Sequence, residues 1–453
     1  MGRIKLSEHF NYSRLFRFVL PSVVMMVFVS VYGIVDGFFV SNYAGEAQFA
    51  ALNLIFPLIM ILGSVGFMLG TGGNAVVSKA LGEGDAKKAN RIFSMLVYAT
   101  ILIGVVLSVV GIMIAPHVAR WFSASEEALS AGEKETLIQY CTVYARIILA
   151  ALPAFMLQNA FQGFFVTAEK PRLGLYVTVI AGLGNVIFDA LFVAVFQWGL
   201  VGAALATALN QVIGGVIPVV YFSRKNDSLL RLGKTFFERK VFVKVCVNGL
   251  SELMTNISLS VVTIFYNAQL MRLIGIAGVS AYGVMQYIGF IFISVFLGYA
   301  VGSAPIIGYH FGASNENELK SIFKKSLIIM LVLGVGMTSI ALVFAEFFAK
   351  IFVGYDATLL TLTANGLRIY SLCFAFCGLN IFASAFFTAL SNGAISLLIS
   401  FSRTFVCQIV AVLILPVFFG INGVWASLVV SECVTLILTF ALFVLERKRY
   451  HYV

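Results

Sequence analysis

Twelve times the chain enters an apolar run long enough to cross a lipid bilayer. The runs lie at roughly 15–41, 50–79, 92–118, 137–168, 173–196 and 199–222, then at 241–273, 279–310, 322–353, 361–390, 394–419 and 422–446. At about 1.5 Å per helical residue each spans a hydrocarbon core of about 30 Å. Several exceed that minimum, which predicts tilted helices protruding from the bilayer. Composition agrees. Of the 453 residues, 60% are hydrophobic and only 11% are charged, against about 25% charged in soluble domains. The mean hydropathy is +1.00. No segment between the runs is large enough to be a soluble domain, so the expected fold class is an all-α membrane protein with twelve transmembrane helices.

The net charge of +10 would suit nucleic acid binding if the cations formed one patch. They gather instead in alternate short loops, as membrane orientation requires. Arg3, Lys5, Arg14 and Arg17 lie before or at the start of the first run, Lys87, Lys88 and Arg91 follow the second, and Lys170 and Arg172 follow the fourth. Arg224, Lys225, Arg231, Lys234, Arg239 and Lys240 lie in the central linker. Lys320, Lys324 and Lys325 follow the eighth run, and Arg447, Lys448 and Arg449 close the chain. The loop after the third run is acidic, with Glu126, Glu127, Glu133 and Glu135. Both termini are therefore expected in the cytoplasm, with the protein in the cell's inner or plasma membrane. Trp121, Trp198 and Trp425 fall at outer helix ends, the expected place for interfacial indoles. All six cysteines lie in apolar runs without accompanying metal ligands and read as packing residues. The first run is too long for the apolar part of a cleavable signal and lacks a small-residue cleavage site.

An internal repeat divides the chain. Residues 45–93 align with 275–323 without a gap, at an offset of 230. Gly45 meets Gly275, Ser64-Val65 meets Ser294-Val295, Gly72 meets Gly302, Gly82 meets Gly312 and Ile92-Phe93 meets Ile322-Phe323. Later the offset reads as 221, pairing Phe161 with Phe382, Thr167 with Thr388, Gly199 with Gly420 and Gly202 with Gly423. The expected organisation is an N-terminal lobe at 1–222, a cytoplasmic basic linker at 223–240 and a C-terminal lobe at 241–453. Six helices per lobe give copies of like orientation, related by a pseudo-twofold axis along the membrane normal. Transporters that rock two halves around a central site use this arrangement. Channels and scaffolds also arise by duplication.

Within this apolar sequence the N-terminal half keeps two acids at membrane depth. Asp36 sits in the first run, and Asp189 in the fifth, with Asn185 one turn earlier on the same face. An ionised carboxylate in hydrocarbon is costly, so each must face protein, water or an ion. Counted from Asn42, Gln197 and Gly199, the residues Asp36, Asp189 and Thr207 lie roughly 9–12 Å below the outer boundary. Two carboxylates, an amide and a hydroxyl at one depth form a plausible first shell for H⁺ or Na⁺. The plainer alternative is that each acid caps a helix break or pairs with an arginine.

The second half does not copy this set: Asp36 corresponds to Tyr266 and Asp189 to Val410. It offers Glu252 in the seventh run, whose role stays open between cation binding and the start of a helix. Arg403 and Glu432, both near mid-membrane, read as a structural ion pair.

On these residues the chain resembles the multidrug and toxic compound extrusion (MATE) family, within the multidrug/oligosaccharidyl-lipid/polysaccharide exporter superfamily. The resemblance covers twelve helices, two six-helix lobes, a basic linker and Gly-rich turns after the second and eighth helices. In prokaryotic members a cation site uses an Asp on the first helix, an Asn and Asp four apart on the fifth and a Thr on the sixth. The resemblance places Asp36, Asn185, Asp189 and Thr207 in those roles. It marks Tyr32, Asn159 and Pro21 as candidates for the lobe's cavity or hinge, Pro21 matching a proline implicated in helix bending. Glu252 resembles a Glu of a C-terminal-lobe sodium site, with Gln286 as a second candidate there. The tenth run has no acid to complete that site.

The resemblance implies an antiporter that exports small organic, drug-like, mostly cationic compounds in exchange for inward H⁺ or Na⁺, as a monomer. No Gly-rich loop ending in Gly-Lys-Ser/Thr is present, so ATP is not expected as the energy source, nor any cofactor beyond the coupling ion. Enzymatic activity is not expected. A lipid-linked saccharide flippase of the same superfamily is the first rival, and it would favour a cavity rich in Arg and Lys. A passive channel is the second, and it would need a lined continuous pore.

Overall fold

The computed structural model describes residues 4–124 and 130–452. Arg3, and Glu126 and Glu127 of the acidic loop, lie outside the described residues. Regular structure among the described residues is entirely helical, as hydrocarbon demands of a backbone that must satisfy its own hydrogen bonds. Eleven helices are long and apolar enough to cross a membrane, and a bent pair acting as one span raises the number to twelve.

The helices of the first half are α1 (Tyr12–Phe39), α2 (Glu46–Gly82), α3 (Ala86–Ala124), α4 (Ala131–Ala150), α5 (Leu152–Thr167), α6 (Pro171–Asp189) and α7 (Gly199–Ser223). Those of the second are α8 (Arg239–Ile274), α9 (Ile276–Gly312), α10 (Glu316–Val343), α11 (Ala345–Val353), α12 (Ala357–Tyr370), α13 (Phe374–Ala389), α14 (Gly393–Phe401), α15 (Cys407–Phe419) and α16 (Ile421–Tyr450). The fourth apolar run is the bent pair: its two helices meet at 55° beside Ala151. Pro153 follows at once, and a proline both removes a backbone donor and disfavours helix in the residue before it. The ninth run also divides. Beyond Val343 the short α11 buries Ala345, Ala349 and Val353 along one stripe.

Two compact units emerge. One comprises Phe28–Leu81 and Asp85–Gly249, the other Gly2–Val27, Gly82–Gly84 and Leu250–Val453. In the first, Phe93 of α3 packs edge-on to Phe164 of α5 at 5.0 Å and to Phe222 of α7 at 5.2 Å. In the second, Phe323 of α10 packs on Phe386 of α13 at 4.9 Å and on Phe443 of α16 at 5.0 Å. The same aromatic trio has been built twice. The start of α1 belongs to the second unit, where Gly302 of α9 lets Val19 approach so closely that a side chain would collide with it.

These trios correct the repeat register. Phe93 and Phe323 keep the offset of 230, but Phe164 pairs with Phe386 at 222 and Phe222 with Phe443 at 221. Left-handed Glu169 and Ser391 mark equivalent turns at 222, so the sequence pairings of Phe161 and Thr167 are one residue out. The extra residue of the first half sits before Gly199. Gln197 and Gly199 are both left-handed there, whereas Gly420 stands alone in its turn. In this register Asp189 corresponds to Ala411 rather than to Val410.

A second correction concerns the tryptophans. Trp121 and Trp198 are well exposed, but Trp425 is 2% exposed. It lies on α16 against Gly366 of α12, where the missing side chain makes room for the indole. The six cysteines are unpaired thiols, buried or half-buried.

Candidate functional site

Two helices of the first unit abandon regular α geometry just beyond an acid. Past Asp36, α1 runs into a π-helical turn at Val40–Ala44. Directly after Asp189, α6 widens into π geometry at Ala190–Val195. Such turns are rare and recur at functional sites. Both pack on α7 and on each other, so the irregular backbone is covered by protein.

This packing brings the four expected polar residues together. Thr207 Oγ1 of α7 donates to Asp36 Oδ1 at 3.2 Å. The same carboxylate faces the Asn185 amide and the Asp189 carboxylate of α6. Asp36 is half-buried, while Asp189 and Asn185 are 0% and 1% exposed. Neither carboxylate oxygen of Asp189, nor Asn185 Nδ2, has a hydrogen-bond partner among the described residues. A buried charged group left unsatisfied is among the costliest arrangements a protein can hold. Two such carboxylates facing each other repel unless a proton or cation lies between them. Carboxylate, amide-carbonyl and hydroxyl oxygens suit a hard cation.

Tyr32 lies one turn before Asp36, with its hydroxyl near the Asn210 amide of α7. Asn159 is buried on α5, with its Nδ2 also unpartnered, and it shares no hydrogen bond with the acids. Pro21 sits inside α1, in the stretch that belongs to the second unit, and the helix continues through it. Two neighbours escaped the sequence reading. Tyr144 of α4 is 5% exposed and lies beside both acids, a position that no local motif announces. Asn210 follows Thr207 by three residues, and that spacing alone would have put it on the same face.

The second unit gathers a different set. Arg403 Nη1, half-buried, meets the buried Glu432 Oε1 at 3.4 Å. Asn380 Nδ2, on α13 of the tenth apolar run, donates to Glu432 Oε2 at 2.7 Å. Glu252 of α8 is half-buried, and Arg403 lies near enough to act on its charge. Arg403 thus faces two carboxylates, and it sits in a third π-helical turn, Ser402–Val406. Gln286 of α9 meets Tyr282 one turn back.

The MatE family model matches the chain twice, over residues 21–191 and again over 253–414. The chain belongs to the MatE family. Each match falls in one copy of the repeat and covers its first five spans. Asp36, Asn185 and Asp189 lie within the first matched stretch, whereas Thr207 and Glu252 lie between the two. Among relatives, the chain is similar to the multidrug export protein MepA of Staphylococcus haemolyticus. The two are 23% identical over 443 residues, covering 94% of this chain and 92% of that one. Among solved structures, it is similar to a MATE crystal structure in the straight conformation, with a TM-score of 0.89 and 20% identity, covering 97% of this chain and 96% of that one. A MATE crystal structure in the bent conformation gives 0.85 at 21% identity, covering 96% and 95%. The MatE assignment thus gives the chain a transporter's fold over nearly its whole length.

Proposed function

We propose that this protein is a secondary antiporter that exports small, drug-like organic compounds, preferentially cationic ones, and is driven by inward H⁺ or Na⁺. The observation that carries the reading is the unpartnered, fully buried Asp189 carboxylate facing Asp36. Membrane-embedded acids of this kind mark ion pathways. In this reading the coupling ion is shared by Asp36, Asp189, the Asn185 carbonyl and the Thr207 hydroxyl. Loading it from outside removes the repulsion between the carboxylates, draws α1 toward α6 and α7, and contracts the cavity that holds substrate. Pro21, which lacks a backbone donor, provides the hinge at which α1 bends. The ion leaves once the site opens to the cytoplasm, the side expected from loop charge to hold both termini. No ATP and no other cofactor is required.

The MepA relatives support drug export as the task. The cation balance supports it over a saccharide-lipid flippase, because the buried Arg403 is already engaged by Glu432 and has no charge to spare for a pyrophosphate. The deciding experiment is uptake of a fluorescent organic cation by purified protein in liposomes, with pH and Na⁺ gradients imposed separately. Accumulation driven by one gradient supports exchange. Equilibration under both, without accumulation, would mean a passive channel.

A further inference from the structure

The linker between the halves is not a slack tether. Its backbone is laid against the start of α3 by a ladder of bonds. Arg231 N donates to Asn90 Oδ1 at 2.5 Å, Gly233 N to Ser94 Oγ at 3.0 Å and Thr235 Oγ1 to Arg91 O at 2.9 Å. Asn90 Nδ2 in turn donates to Leu229 O at 3.2 Å. A segment whose only duty is to be basic for orientation needs no such fixing, because the positive-inside effect counts charges and not their geometry.

What the ladder fixes is a concavity of about 330 Å³ lined by Lys87, Asn90, Arg91, Ser94, Arg231 and Lys234. Four of these six are cations, and among the described residues no carboxylate lines it. Arg91 has a partner outside the cavity, Glu238 at 2.8 Å, and its guanidinium lies over the Phe236 ring at 4.7 Å. Lys87, Arg231 and Lys234 form no ion pair among the described residues. Arg231 Nη2 donates to Asn226 O at 2.6 Å, but a carbonyl brings no counter-charge, and like charges held together by backbone bonds favour an anion that enters. Beside the cavity Phe236 and Phe237 are 58% and 63% exposed. Exposed aromatics next to a basic cluster are the composition of a segment that lies at a headgroup layer.

We infer that the α3–linker concavity is a binding site for a phosphate group, carried either by an anionic lipid headgroup or by a soluble phosphate. Lys87, Arg231 and Lys234 bind it directly, and Arg91 holds the linker in register through Glu238 and Phe236. The site is separate from the acids of the ion site and does not depend on the transport reading.

The test is native mass spectrometry of the full-length protein mixed with phosphatidylglycerol or phosphatidylcholine, repeated with inorganic phosphate as competitor. Wild type is expected to retain phosphatidylglycerol preferentially. The combined Lys87→Gln, Arg231→Gln and Lys234→Gln variant should lose about a hundred-fold of that preference, at about five-fold per basic side chain. A control with the same charge change elsewhere, Lys320→Gln, Lys324→Gln and Arg447→Gln, should keep it. If inorganic phosphate displaces the lipid, the source is soluble phosphate, and if it does not, the source is the headgroup; either result supports the site. Equal retention of both lipids by wild type, or equal loss in the control, overturns it. Should the triple variant fail to fold, Lys234→Gln alone, at an exposed position, should still lose about five-fold, and no loss there would overturn the site equally.

Discussion

Asp36 and Asp189 face each other from two helices that both lose α geometry next to them, yet only Asp36 receives a hydroxyl donor. Thr207 fixes one carboxylate while the other is left to whatever ion arrives. That asymmetry is what the proposed ion site requires, since in a buried structural cluster every oxygen is normally paired.

Asp36→Asn and Asp189→Asn should each fold, because an amide removes the repulsion that the acids carry. Each should lose gradient-driven uptake by at least about ten-fold, as for loss of a hydrogen bond to a charged group. Each should also flatten the dependence of substrate binding on pH or Na⁺. Liposome uptake and binding titrations at several pH values read both effects. Near wild-type accumulation by both variants would make the acids structural.

Thr207→Val removes the donor to Asp36 and keeps the volume. It should weaken the apparent affinity for the coupling ion by about ten-fold, as loss of one charge-assisted hydrogen bond does. Thr207→Ser should restore most of it. Equal behaviour of Val and Ser would remove the hydroxyl from the site.

Much of this was legible in the sequence, and the misses have physical causes. The four polar residues of the candidate site could be grouped from the sequence because helical rise is uniform and the turn residues marked the helix ends, and the packing brings them together. The repeat was readable without a gap over 45–93 because the turn at Gly84 recurs at Ser314 in the same left-handed geometry. The later register slipped because Phe161 and Thr167 find chance identities in Phe382 and Thr388, whereas the packed register sets them against Ala383 and Ala389. The packed trios and the left-handed turns at Glu169 and Ser391 fix Phe386 as the partner of Phe164. Trp425 at a helix end could not be told from an interfacial indole, since Gly366 makes its pocket from another helix. Tyr144 was invisible because its relation to the acids is tertiary alone.

Arg403→Gln should destabilise the protein more than Glu432→Gln. Removing the cation leaves Glu432 and the neighbouring Glu252 without a counter-charge, and breaking a buried pair in this sense costs about 3–5 kcal/mol. Glu432→Gln leaves Arg403 with Glu252 and keeps an acceptor for Asn380, so its cost should be about 1–2 kcal/mol. Thermal unfolding in detergent measures both. The reverse order would mean that Glu252 and Arg403 do not interact.

The expected orientation follows from loop charge alone and can be tested by labelling. Glu135→Cys, near the start of α4, should react with an impermeant maleimide added to intact cells. Lys234→Cys should react only after permeabilisation. Both sites are exposed, and the native thiols are buried or half-buried. The opposite pattern would invert the protein.

Glu252 decides whether the second unit holds a coupling site of its own. On α8 it lies near Arg403, which also binds Glu432, while the tenth span offers Asn380 where a second acid would be needed. A carboxylate that lies in the field of an arginine gains less from an added cation than one that faces only another acid. Glu252→Gln should therefore lower the transport rate by about two- to five-fold, as loss of a partly screened charge near a pathway does, and leave ion dependence intact. Side-by-side uptake of Glu252→Gln and Asp189→Asn under the same gradients makes the comparison. If Glu252→Gln folds normally yet abolishes coupling while Asp189→Asn retains it, the ion site belongs to the second unit, and the π-helical turn at Arg403 would take the role assigned here to those beyond Asp36 and Asp189.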